Sequence, residues 1–151
     1  MKKLIVAAVC LLIVGCKSGK TPGVEDLFND EARVGALPVP AQQWVPLTVS
    51  VDRGAGTTAT LFGNPEAVKD ARSGGTYQEN AALELVTWRQ REDPHWFGGR
   101  IPGEVVSVEL VSVGSDGASY GRYAGSPLTR TADEDAARQA AIMSMKGAQL
   151  P

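Results

Sequence analysis

Apolar and polar positions alternate in short runs along the middle of the chain. In 44–51, Val45, Leu47, Val49 and Val51 alternate with Pro46, Thr48 and Ser50, the period of a half-buried strand. Pro46 places that strand at a sheet edge or marks its start. Arg53-Gly54-Ala55-Gly56 reads as a turn into a β-rich return strand over 57–62, so the two form a hairpin. A third strand over 82–90 carries Leu83, Leu85, Thr87 and Arg89 on one side and Glu84, Val86, Trp88 and Gln90 on the other. The fourth, 105–113, is apolar on both faces (Val106, Val108, Leu110; Val105, Val111, Val113), which predicts an interior position. Ser115-Asp116-Gly117 turns the chain into a partner strand over 118–124.

Two helices interrupt this pattern. Asn64-Pro65-Glu66 supplies a capping side chain, a proline at the first helical position and an acid at the positive end of the dipole. Ala67, Val68 and Ala71 then face inward, and Gly74-Gly75 ends the helix. Near the C-terminus, Thr131-Ala132-Asp133-Glu134 matches a capping box, with Ala137, Ala140, Ala141, Ile142 and Met145 as the buried stripe and Gly147 as its close. The order ββαβββα with consecutive hairpins predicts an α+β domain, an antiparallel β-sheet packed with two helices.

The N-terminus follows other rules. Met1-Lys2-Lys3 is basic, and the apolar run 4–14 is shorter than the roughly 20 residues of a spanning helix, as a signal peptide requires. Ile13-Val14-Gly15-Cys16 resembles the lipobox of bacterial lipoproteins, which implies cleavage before Cys16, a lipid on its sulfur and acylation of its new amine. The expected organisation is a signal over 1–15, a lipidated Cys16 and tether over 16–40, and a folded domain over 41–151. Within the tether region a short helix over 24–37 would place Val24, Leu27 and Phe28 on one side, stopped by Leu37-Pro38-Val39-Pro40. Lys17, where an aspartate would resemble an inner-membrane retention signal, favours the outer membrane, with the domain facing the periplasm.

Cleavage removes Cys10, so the mature chain keeps one cysteine, and that one is lipidated. An internal disulfide and a Cys₂His₂ or Cys₄ zinc site are excluded by count, as the chain has 2 cysteines and 1 histidine. Removing Lys2 and Lys3 leaves 13 basic against 17 acidic side chains, a balance of −4. That is no footprint for nucleic acid. Membrane attachment is expected to come from the lipid.

Chemistry concentrates in 93–103, which holds His95, Trp96, Phe97 and Arg100 between Pro94 and Pro102, with Gly98-Gly99 allowing a turn. His95 reads as a polar loop residue, as part of a ligand pocket, or as an axial ligand needing partners such as Met143 or Met145. Trp96 and Phe97 anchor the loop on the core in one reading. In the other they line a pocket with Trp88, Tyr77 and Arg100. Gly117-Ala118-Ser119-Tyr120-Gly121 matches G-x-S-x-G, but it follows a hairpin turn and the only histidine lies earlier in the chain. Gly54-x-Gly56 lacks the third glycine, the lysine and the following helix of a phosphate cradle.

About half the chain, from Leu61 to Leu128, resembles the cytochrome P-460 family of periplasmic proteins. The resemblance is carried by Pro65-Glu66-Ala67-Val68-Lys69-Asp70-Ala71-Arg72 with Gly75-Thr76-Tyr77, by Val86-Thr87-Trp88, and by 105–114 leading to Tyr120 and Tyr123. The window 93–103 resembles a subgroup of short lipoproteins in that family. The resemblance implies an α+β fold with a long antiparallel sheet, often dimeric, and in characterised members oxidation of hydroxylamine or nitric oxide at a c-type haem cross-linked to a lysine. C-x-x-C-H occurs nowhere in this chain, so no haem-site residue carries over. The expectation is therefore a haem-free envelope lipoprotein binding a small ligand or an envelope protein through the loop 93–103, with homodimerisation open. The alternatives are a periplasmic redox protein holding haem non-covalently at His95, and a purely structural envelope protein.

Overall fold

The structure, a computed structural model, describes residues 29–35, 43–74, 76–132 and 134–147. The signal segment, Cys16 and most of the tether lie outside the described residues. So do Gly75 and Asp133.

Six strands form one antiparallel sheet in sequence order: β1 (Val45–Asp52), β2 (Thr57–Gly63), β3 (Ala82–Glu92), β4 (Arg100–Gly114), β5 (Gly117–Ala124) and β6 (Thr129–Ala132). Helix α1 (Pro65–Arg72) joins β2 to β3, and α2 (Ala136–Met143) follows β6. The α+β expectation holds. The short strand β6 was not expected, because Thr129-Arg130-Thr131-Ala132 has no apolar alternation to announce it. It takes up Thr131 and Ala132, so the capping box expected there does not form. Asp135 caps α2 instead, its carboxylate accepting from Arg138 N at 2.9 Å.

Strand parity divides the core into two faces. On the first, Leu61, Leu83, Leu85 and Val111 pack with Leu47, Tyr77 and Tyr120 beneath Ala67 of α1 and Ile142 of α2. Burying each large apolar side chain there contributes roughly 1.5–3 kcal/mol. Ala137, Ala140 and Ala141 are exposed, contrary to the expected stripe; only Ile142 of α2 is buried. Gly63 leaves room for this packing, since a Cβ there would lie 2.8 Å from Leu47 Cδ1 and 3.0 Å from Ala67 Cβ. Asn64 caps α1 as expected, its Oδ1 accepting from both Ala67 N (2.9 Å) and Ala82 N (3.0 Å), which binds the helix start to the start of β3.

The second face carries Val86, Trp88 and Val108, with Phe62, Val105 and Tyr123 beside them. Its cover is no helix but a strap, residues 29–35, including a 3-10 turn at Asp30–Ala32. Part of the stretch expected as tether therefore lies against the sheet.

Two departures place the functional candidates. In β1 the register slips between Pro46 and Thr48, so Leu47 reaches the helix-covered face while Val49 and Val51, opposite Thr60 and Thr58, turn to the other. No part of the described chain covers them there, and they are 59% and 56% exposed. A single alternating pattern could not foresee this, because a bulge inverts the facing of everything beyond it. The second departure is the length of β4, which begins at Arg100. Pro102 sits within it, pairing with Gln90. The proline is tolerated because β5 pairs β4 only from Ser107 onward, leaving the first part of β4 without a neighbour on that side. Likewise β2 pairs β3 only as far as Arg89. The ends of β3 and β4 thus run past the sheet as a two-stranded arm.

Candidate functional site

The arm ends in the loop 93–99. Asp93 N donates to Gly99 O (3.0 Å), Gly99 N to Trp96 O (2.9 Å) and His95 N to Asp93 Oδ1 (2.8 Å). Gly98 turns at φ +75, and a Cβ on Gly99 would lie 3.0 Å from Trp96 O. The backbone is therefore closed on itself, and its side chains point outward. Trp96 is 74% exposed and Phe97 fully exposed, so they do not anchor the loop on the core. His95 and Arg100 are exposed as well, and Arg100 Nη2 lies 3.9 Å from Glu92 Oε1.

The structure does not unite the predicted pocket. Trp88 is buried under the strap, while Tyr77 is buried on the helix-covered face of the sheet. Burial first, and then the charge of Asp70, raise the Tyr77 phenol above its ordinary pKa. Nor does a haem fit at His95. An axial ligand needs an apolar slot beside it, whereas His95, Trp96 and Phe97 face solvent. A cavity that reaches the loop at Gly98 is lined by Val51, Arg53, Gly56, Gln90, Gly98 and Arg100, without His95. Met143 and Met145 pack on the helix-covered core. Among the described residues no cluster of three or more His, Cys, Asp or Glu side chains is placed to hold a metal. Ser119 is exposed on β5, its hydroxyl 3.4 Å from Ser112 O, in no nucleophile elbow.

The site lies instead under the strap, around a residue whose chemistry the alternating pattern concealed. Four contacts hold the strap down. Trp88 Nε1 donates to Ala32 O (2.8 Å), Asn29 Nδ2 to Pro102 O (2.6 Å) and Arg91 Nη2 to Asn29 Oδ1 (3.1 Å). The fourth is an ion pair by distance, Arg91 Nε lying 2.8 Å from Glu31 Oε2 without the alignment of a hydrogen bond. Between strap and sheet is a cavity of about 250 Å³ lined by Asn29, Ala32, Arg33, Val34, Phe62, Glu84, Val86 and Trp88. Glu84 stands on β3 between Phe62 of β2 and Leu110 of β4. It is 1% exposed, and neither carboxylate oxygen has a hydrogen-bond partner among the described residues. Burial pushes its pKa up to about 7. Arg33, the cationic side chain on the cavity wall, is turned to Asp30, with Nε donating to Oδ1 at 2.6 Å.

A second buried carboxylate shows the contrast. Glu109, on the helix-covered face, accepts from Arg138 Nε (2.8 Å) and Nη2 (2.7 Å) and from Tyr120 Oη (2.6 Å). Burial alone would raise its pKa, but these hydrogen bonds and the charges of Arg138 and Arg122 hold it below the ordinary value. The Tyr120 phenol is pushed up to about 12, by burial first and then by its bond to Glu109. Glu109 is thus a satisfied structural group. Glu84 is the unsatisfied one, and buried polar groups left without partners are uncommon enough to point to a role.

No family model matches this chain, and no curated protein matches it.

Proposed function

We propose that this protein is a lipid-anchored component of the bacterial envelope, tethered through Cys16 in the outer membrane. Its domain, similar to cytochrome P-460 but without the haem attachment, holds a small ligand in the cavity beneath the strap. The observation that carries the binding reading is Glu84: a carboxyl 1% exposed, bonded to nothing among the described residues, on the wall of an otherwise largely apolar cavity. Concave apolar sites with a few placed polar groups are the usual form of small-molecule sites. Among the described residues no activated nucleophile stands beside Glu84, and the reading is one of binding.

Ala32→Phe tests it. The added ring would fill the cavity from the strap side and leave the sheet unaltered. Native mass spectrometry of the wild-type chain, purified gently from the envelope, should show a bound small molecule that the variant lacks. Identical spectra with no adduct in either would remove the reading. For the anchor, Cys16→Ser should abolish incorporation of labelled palmitate and leave the signal uncleaved or the domain released. Undiminished labelling of the variant would exclude Cys16 as the lipid site.

A second surface reading is favoured by the arm, which presents two unpacked aromatics on a hydrogen-bonded tip: it serves as a contact for a protein partner. Aromatic anchors held in advance by a rigid backbone lose little entropy on binding. Replacing Trp96 and Phe97 together by Ser should leave Tm unchanged while reducing capture of envelope proteins in crosslinking. A clear fall in Tm would return these residues to a packing role.

A further inference from the structure

We infer that the cavity beneath the strap takes a small organic cation, a primary ammonium group on an apolar body of about eight non-hydrogen atoms, with the Glu84 carboxylate as its counter-ion. The inference rests on the binding reading above and specifies its ligand. Size comes first. A dry cavity of about 150 Å³ takes up benzene, so about 250 Å³ admits a ring with a short polar arm.

Charge decides the class. An anion meets either a buried negative charge or, at best, one carboxylic acid donor. Arg33, the lining residue that would attract an anion, is engaged with Asp30. A neutral alcohol gains a single hydrogen bond. An ammonium group gains a charge-assisted bond and also relieves a carboxylate that otherwise has no compensation for leaving water. Phe62 and Trp88 line the same cavity and offer aromatic surface to a cation. The Trp88 indole N–H is spent on Ala32 O, so it does not compete for the ligand's acceptors or for Glu84. The acidic groups of the strap, Asp30 and Glu31, do not line the cavity and are paired already, Asp30 with Arg33 and Glu31 with Arg91 of β3. The strand neighbours of Glu84, Phe62 and Leu110, carry no charge. Glu84 is therefore the group that selects the ligand.

Benzylamine and benzyl alcohol have the same shape and differ in the charge at one atom. Each is titrated into the full chain in mild detergent, following the Trp88 indole N–H resonance. At about pH 8, where both Glu84 and the amine are charged, benzylamine should bind with saturation and at least about ten-fold more tightly than benzyl alcohol. The ratio should collapse towards one at about pH 5, where Glu84 is protonated, and in Glu84→Gln at the higher pH. Equal affinity for alcohol and amine at about pH 8 would overturn the cation inference while leaving the cavity as a ligand site. A Trp88 resonance that neither compound moves would remove both. If Glu84→Gln does not fold, the low-pH titration of the wild type carries the same comparison.

Discussion

Arg138→Ala should lower the free energy of unfolding by about 2–3 kcal/mol at about pH 8, and by much less at about pH 4. Arg138 closes both oxygens of Glu109 at 2.8 and 2.7 Å, and the Glu109 side chain is only 4% exposed. Removing one partner of a buried pair leaves a desolvated charge, which commonly costs 3–5 kcal/mol. Here the figure is reduced because Arg138 is itself 43% exposed, so water reaches the gap, and because Tyr120 still donates. The pH dependence follows from the sign of the shift. The folded pKa of Glu109 is lowered, so its contribution is complete above the unfolded carboxylate pKa and is lost as pH falls through the folded value. Without Arg138, burial dominates and the pKa rises, so the variant avoids its penalty by taking up a proton in acid. The loss should also be felt in α2, which buries Ile142 and packs Met143 on the core and is otherwise held by this pair. Urea unfolding at the two pH values measures the difference, and hydrogen exchange over 136–143 locates it. A loss below about 0.5 kcal/mol at both pH values would mean that the pair is a surface ornament.

How far the chain announced its own structure depends on what each residue's signal is made of. Strand existence was legible because alternation is local, and β2, β3 and β5 lie within about two residues of where it put them. The Asn64 cap was legible for the same reason. Facing in β1 was not, because the bulge beside Pro46 is set by pairing with β2 rather than by β1 itself. The arm was hidden because Pro102 reads as a breaker until one knows that β5 stops short of it. Burial on the core was one of two readings for Trp96 and Phe97, because aromatic area usually seeks burial; a working surface on the loop was the other. The exposed tip follows from how far the β3–β4 ribbon overshoots its neighbours, a property of the whole sheet.

The site itself was half legible. The alternation put Glu84, Val86 and Trp88 on one side of β3, the side that lines the cavity, but placed the candidate pocket at the loop 93–103. It gave no reason to regard Glu84 as other than solvated, since an acid in an alternating strand ordinarily marks the wet face. A signal was present: Leu83 and Leu85 flank it while Val86 and Trp88 follow on its own side, so both faces of β3 are apolar and neither is open to water. Strands buried on both faces read this way, and an acid inside one deserves the question of what balances it. The cover could not be read, because the strap is seven described residues with Ala32 and Val34 as its apolar contacts and no periodicity.

That question leads to the other large effect. With no ligand present, Glu84→Gln should be more stable relative to wild type at about pH 8.5 than at about pH 4.5, the difference between the two conditions reaching about 3 kcal/mol. The folded pKa, about 7, stands above the ordinary carboxylate value of 4.5. Between those values the folded chain binds more protons than the unfolded chain, so wild-type stability falls as pH rises through the window. The penalty is absent below the unfolded pKa and complete above the folded one. Gln cannot ionise; its buried amide carries a cost of its own, but one that does not change with pH. Glu109 titrates in the opposite sense in both proteins and cancels from the comparison. Asp30, Glu31, Arg33 and Arg91, the charged groups of the strap and of its anchor on β3, are paired and the same in both chains. Thermal and urea unfolding of the two proteins across this range gives the difference directly. A flat difference would show that Glu84 reaches water or a partner in the unliganded protein, and the case for a buried counter-ion awaiting a cation would go with it. A difference that disappears on adding benzylamine to the wild type would tie the destabilised carboxylate to the ligand that relieves it.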